Sequence, residues 1–267
     1  MFEWAGLIQT IVMTMVATFA IYFGISGFYY YKYYIKLRAH SDEWKSQPKR
    51  WITSERHKEG TLLSIQNLFM TGIIAGSYWY FLFLGKTKVY WNLEPGILYT
   101  LFSTFLFWVW MEAGAYYFHR LFHIKPLFQR IHKIHHRVFA PTPFVTMALH
   151  PVEYLTYLGL ALTPGFLFPI NGYCFIGVYL YTFYYQIIEH SGIKMSSIWP
   201  WQPHSMYHDD HHRLVHCNFG QNTYFFDLIH GTLAKENRRY GEQAFGGKGE
   251  ALEGTQGKEL LVNYWVM

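Results

Sequence analysis

Charge is the scarcest property of this chain. Lys, Arg, Asp and Glu make up 15% of its 267 residues, against the ~25% usual for soluble domains. An ordinary water-facing domain of this length needs more polar cover than that. Cysteine is nearly absent as well: Cys174 and Cys217 are the two in the chain, which excludes a disulfide framework and a paired-thiol metal motif. No Lys or Arg stands among Met1–Trp4 ahead of the first apolar run, and no small-residue cleavage site follows, so a cleaved signal peptide is not expected. The chain also lacks a dinucleotide-binding glycine pattern, a haem-attachment motif, a fixed-period repeat and a low-complexity linker.

What is there is apolar and aromatic. Hydrophobic residues reach 51% and aromatics 21%, yet mean hydropathy is only +0.02, so apolar and polar stretches must be segregated. Tyr and Trp at this density suit a membrane–water interface. The net charge of +5 does not point to nucleic acid, because the basic residues flank apolar runs instead of forming one face.

The runs are long. Ala5 to Tyr30 is uncharged over 26 residues, enough to cross a bilayer. Thr61 to Gly85 is uncharged but less hydrophobic, and Gly96 to Phe118 is interrupted only by Glu112. Val152 to Ile188 is long enough for two spans or a re-entrant hairpin, bent at Pro164, Gly165, Pro169 and Gly172. The expected fold is therefore all-α: a polytopic membrane protein with about four transmembrane helices and a cytosolic histidine-rich region. Residues 1–95 hold the first spans and a basic loop, 96–240 the catalytic domain, and 241–267 a tail. In this topology 20 of the 22 basic residues fall on one side, which the positive-inside rule makes cytoplasmic. Both histidine clusters fall on that side too.

Those clusters carry the chemistry. His119 and His123 are four apart; His132, His135 and His136 form an HxxHH box, repeated at His208, His211 and His212. On helices each set shares a face, and neutral imidazole is the commonest metal-ligand side chain. His150 and His190 sit at the two ends of the apolar hairpin and can join them, giving ten candidate ligands, enough for two ions. Asp209, Asp210, Glu189 and Glu112 are candidate partners for the second ring nitrogens. His204 and His216 flank the last box; His204, His216 and His230 remain open between partner and surface roles. His40 and His57 read as solvated. Trp199 to Pro203, "WPWQP", reads as an interfacial anchor or a gate for lipid entry.

The order HxxxH, HxxHH, apolar hairpin, HxxHH resembles the fatty acid hydroxylase/sterol desaturase superfamily of membrane-bound di-iron enzymes. The resemblance covers about Phe105 to Leu233, through "HRLFH", "HKIHH", "APTPF", "LHP", "EHSG", "YHDDHH" and "NFGQNTYFFDLIHGT". It implies two iron ions held by these histidines (zinc being able to replace them in recombinant material), O2 as oxidant, and electrons from NAD(P)H through cytochrome b5 and its reductase or a similar carrier. It further implies hydroxylation or desaturation of a membrane lipid, a sterol by the "PTPF" and "HSG" motifs, with a fatty-acyl or alkyl lipid as the alternative. Gln186 stands where some members carry another histidine. A polytopic metal transporter and an inactive relative are the readings from other classes; a transporter predicts ligands at mid-membrane depth. The expected location is the endoplasmic reticulum in a eukaryote and the inner membrane in a bacterium.

Overall fold

The computed structural model describes residues 3–255 and 260–264, so Met1, Phe2 and part of the expected 241–267 tail lie outside the described residues. Its principal helices are α1 (Trp4–Tyr29), α2 (Ser54–Phe83), α3 (Ile97–Phe122), α4 (Pro151–Leu162), α5 (Gly172–Glu189), α6 (Met206–Leu214) and α7 (Phe225–His230). Strand among the described residues is confined to two-residue pairings, so the all-α expectation describes the fold. Among the described residues, two helical stretches are long and apolar enough to cross a membrane: Trp4–Lys36, where α1 continues through a π-helical segment, and α3. The remaining expected spans are different in kind. α2 opens with a charged turn, Ser54 to Lys58, and α4 has 12 residues, roughly 18 Å at the helical rise.

Large apolar side chains crowd the outside of these helices. Leu98 is 80% exposed, and Leu101, Phe102 and Phe105 follow it on the outer face of α3. Val12, Met13 and Val16 do the same on α1. Such a continuous face is costly in water and costs nothing in hydrocarbon.

Where α1 and α2 cross, side chains are absent because there is no room for them. A Cβ at Gly76 would lie 2.5 Å from Ile11 Cα, and one at Gly72 would lie 2.8 Å from Met15 Cβ. The two glycines are four apart, the small-residue spacing that lets helix backbones approach without a hydrophobic driving force.

The structure has two distinct ends. At one, Val89–Tyr90 pairs in parallel with Ile170–Asn171, and Lys88 N donates to Gly165 O at 2.7 Å. Asn171 accepts from Tyr173 N and Cys174 N, capping α5 at that end. The 84–96 loop and the hairpin turn therefore lie together. At the other end lie residues 30–53, 119–139 and 190–216, which carry the histidine boxes.

Between them, residues 140–150 run irregularly through the interior, and side chains of α1 and α2 satisfy their backbone. Ser26 Oγ donates to Pro143 O at 3.0 Å, and Asn67 Nδ2 donates to Met147 O and Leu149 O at 2.8 and 2.9 Å. Tyr34 Oη reaches Pro141 O and Ser191 O at 2.9 and 2.6 Å. Non-helical backbone at this depth is tolerable only when so paired. That explains why polar residues sit on the buried faces of helices that are otherwise apolar.

Replacing Gly76 by Val should wedge α1 from α2 and lower the thermal unfolding temperature of the detergent-solubilised protein. Ala at Gly24, where nothing lies within 4 Å, is the control and should leave it unchanged or raised. Equal melting of both variants would show that the crossing does not depend on contact at Gly76.

Candidate metal centre

Nine of the ten sequence-nominated histidines converge. His119, His123, His132, His136 and His211 form one buried group; His135, His190, His208 and His212 form a second. Within each group one nitrogen from every ring lies within 4.8 Å of the others. His119 comes from the end of α3, and His123 caps it. His132 ends a π-helical turn, Phe128–His132, that leads directly into the Lys133–His136 turn. π-turns are often found at functional sites because they re-aim side chains within a helix. His190 caps α5, and His208, His211 and His212 share one face of α6.

His150 lies outside both groups. Its ring accepts a hydrogen bond from Val152 N at 3.2 Å, which makes it the N-cap of α4 ahead of Pro151.

Hydrogen bonds settle the tautomers. A carbonyl or carboxylate oxygen has no proton to give, so an imidazole bonded to one must donate. His119 Nδ1 donates to Phe219 O at 2.9 Å, His132 Nδ1 to Glu153 Oε1 at 2.6 Å, His211 Nδ1 to Cys217 O at 2.6 Å, and His190 Nδ1 to Gln186 O at 2.9 Å. His216 Nε2 donates to Glu242 O at 3.1 Å, so its Nδ1 accepts from His123 Nδ1 at 2.9 Å. Every one of these ligand-set rings is left with a bare Nε2 lone pair.

The Nε2 atoms crowd together. His119 and His132 Nε2 are 3.2 Å apart, His132 and His136 3.0 Å, and His136 and His211 3.0 Å. In the second group His135 and His190 Nε2 are 3.1 Å apart, and His190 and His208 2.9 Å. His123 Nε2, His136 Nδ1, His208 Nδ1 and both nitrogens of His212 are buried without a partner. Between His119 and His132, whose Nδ1 protons are both committed elsewhere, two bare lone pairs meet and repel unless a cation lies between them. Two nitrogens each about 2.1 Å from one ion, at a right angle, stand about 3.0 Å apart. The donor set therefore fits metal.

Protons are poor candidates for that cation. Burial, and then neighbouring imidazoles, hold His135, His136, His208, His211 and His212 well below the usual histidine range. Burial alone takes His132 down to about 3, and it is the main cause that takes His216 to about 4.

The surrounding carboxylates divide unexpectedly. Glu153, fully buried on α4, orients His132. Sequence reasoning does not single it out, although an acid inside an apolar hairpin is itself a signal. Asp209 and Asp210 lie within a histidine box but turn away from it. Asp209 accepts from Gln47 Nε2 at 3.1 Å, and burial, with Asp210 beside it, pushes it up to about 7. Asp210 pairs with Arg213 and with Tyr264 Oη. Glu112 accepts from Asn222 Nδ2 at 2.5 Å.

The carbonyls of Cys217 and Phe219 could not have been found from residue types, but the acid that positions them could. Asp227 on α7 accepts from Phe219 N at 2.9 Å, Gly220 N at 2.7 Å and Thr232 Oγ1 at 2.6 Å, and from Tyr207 Oη. Of the other histidines, His204 meets the Asn263 carbonyl and the Tyr264 ring, and His230 stacks on Tyr116. His40 is exposed beside Glu43, while His57 is half-buried under Tyr30 and so is not simply solvated.

One cavity adjoins the imidazoles and a second lies next to it. The chamber lined by His119, His132, His135, His190 and His208 shares Ala115, Leu149, Tyr157, Gln186 and Gln221 with the second cavity. The latter is walled by Met111, Leu158, Ala161, Tyr179 and Phe183, from α3, α4 and α5. On the outer side, Trp199 and Trp201 stack at 5.5 Å beside Phe105 and Trp108.

A family model described as fatty acid hydroxylase matches residues 104–232. The lathosterol oxidase of Rattus norvegicus is 28% identical over 233 residues, covering 85% of this chain and 75% of that protein. The lathosterol oxidase of Homo sapiens is 26% identical over 261 residues, covering 94% and 82%. A Delta(7)-sterol 5(6)-desaturase of Aspergillus fumigatus is 30% identical over 164 residues, covering 59% and 48%. No solved structure matches the chain.

Replacing Asp227 by Ala should free the 217–220 carbonyls and weaken metal retention by roughly 10–100-fold, as lost outer partners do, measured by chelator competition. Retention equal to the parent would show that the loop holds its shape without Asp227. The chelated protein should also lose stability as pH falls from about 6.5 toward 3, because the unfolded chain binds protons that buried rings such as His132 refuse. Chemical unfolding across that range checks the sign.

Proposed function

With residues 104–232 belonging to the fatty acid hydroxylase/sterol desaturase superfamily, we propose that this chain is a membrane-embedded oxidoreductase that desaturates or hydroxylates a sterol at a di-iron centre. The observation that carries the reading is the pair of buried imidazole groups with converging ring nitrogens. His119, His123, His132, His136 and His211 would hold one ion, and His135, His190, His208 and His212 the other. His150 is left to cap α4. Bound iron supplies what no acid–base side chain can, the activation of O2 toward an unactivated C–H bond.

The chain's own residues do the rest. Glu153 and the carbonyls of Phe219, Cys217 and Gln186 hold the rings in the tautomer that frees Nε2. Buried side chains keep bulk water from the chamber. The cavity beside it is walled by apolar side chains from helices whose outer faces are apolar, which supports the approach of a lipid from that side. The names of the relatives make a Δ7-sterol, oxidised between carbons 5 and 6, the first substrate to test.

The membrane reading adds α2 and the α4–α5 hairpin to the two long apolar helices. It is supported by the separation of Lys86 and Lys88, at the end with the hairpin turn, from the basic residues at the histidine end. We place that histidine end in the cytoplasm, where NAD(P)H-derived electrons arrive through cytochrome b5 or a similar carrier. The membrane is that of the endoplasmic reticulum in a eukaryote and the inner membrane in a bacterium.

Elemental analysis of folded, detergent-purified protein should find close to two irons per chain. Two zincs would support a dinuclear site and leave the redox metal open; folded protein without metal would sink the reading. His135→Ala and His212→Ala should each abolish sterol oxidation and lower metal content while leaving membrane insertion intact. Full activity in both variants would refute the ligand assignment.

A further inference from the structure

The wall that the two cavities share is partly polar. Among Ala115, Leu149 and Tyr157 it carries two amides, Gln186 and Gln221. Gln221 Nε2 is buried with no hydrogen-bond partner. Glu189, which is 1% exposed, lines the chamber three residues beyond Gln186, and both its carboxylate oxygens are buried and unpartnered. Neither residue belongs to the two imidazole groups. A buried donor and a buried acceptor left unmade on the same wall are each unfavourable. They keep their place most readily when a ligand completes them.

One small group completes both. A hydroxyl donates one hydrogen bond and accepts others, whereas a ketone or ester only accepts and a hydrocarbon does neither. Building on the sterol reading above, we propose that Gln221 and Glu189, with Gln186 alongside, recognise a free hydroxyl on the substrate. Gln221 Nε2 donates to the hydroxyl oxygen, and the hydroxyl donates to the Glu189 carboxylate. The polar end of the lipid reaches this wall, and its apolar body stays among Leu158, Ala161 and Phe183. The hydroxyl then sets which ring carbon faces the imidazoles. Sterol esters and fatty-acyl esters are rejected because they leave Glu189 unpaired, a stronger filter than apolar fit alone.

Equilibrium binding to the full-length, metal-containing protein in detergent tests this with three probes: a 3-hydroxysterol, its 3-ketone and its 3-deoxy analogue. The parent protein should bind the alcohol about tenfold more tightly than either analogue, the scale of one buried hydrogen bond. Gln221→Met should bring the alcohol down to the level of the deoxy compound without altering deoxy binding. Glu189→Gln, which replaces one acceptor oxygen by a donating NH2, should bring ketone binding up toward that of the alcohol, a gain that a merely structural role would not produce. Equal binding of all three probes by the parent, or discrimination that survives both variants, would overturn the proposal. So would loss of iron from Glu189→Gln, which would make the carboxylate a metal ligand. If folded parent protein binds no sterol at all, the sterol reading fails, and the hydroxyl proposal with it; binding without regard to the hydroxyl defeats the proposal alone.

Discussion

Everything in this protein turns on where the imidazole protons go. A histidine ring has two nitrogens, and in a dry interior only one can carry the proton. Carbonyls of Phe219, Cys217 and Gln186, the Glu153 carboxylate and the His216 ring each claim an Nδ1 proton. That commitment leaves the Nε2 lone pairs bare and aimed inward. The opposed His119 and His132 lone pairs, 3.2 Å apart, are therefore a property of the surrounding shell as much as of the histidines.

The shell in turn rests on buried polar groups that look misplaced on apolar helices. Asn67, Ser26 and Tyr34 are drawn to the carbonyls of 141–149 and 191, so that irregular backbone can lie beside the centre without unpaired groups. Asp227 does the same for the 218–220 turn, in which Asn218 adopts a left-handed conformation at φ 56°. The burial that holds the rings neutral also raises the cost of any unmet polar atom. Around the two cavities Gln221 Nε2, both Glu189 oxygens, Glu153 Oε2 and Thr182 Oγ1 are left unmet by the chain.

Much of this is legible in the sequence, for a physical reason. Box spacing follows helical periodicity, so the spacing alone puts His208, His211 and His212 on one face. The uncharged run from Ala5 to Tyr30 likewise fixes a long helix through its length and apolarity. What is not legible depends on tertiary approach. His150 looks like another member of the set, yet lies one residue before the Pro that starts α4, and its ring is spent as a cap. Asp209 and Asp210 look like partners because they sit inside a box, but on a helix their neighbours in sequence face other directions. Glu153 becomes a partner only through the fold that brings α4 beside the second box. The carbonyls of Cys217 and Phe219 leave no trace in residue identity.

The two imidazole groups are built from the same short pieces. Neighbours His135 and His136, on one turn, point into different groups, as do neighbours His211 and His212 on α6. Neither group can be distorted without moving the turn that builds the other. The pair is thus one mechanical unit, in which the spacing between the two groups is set by the turns that carry both.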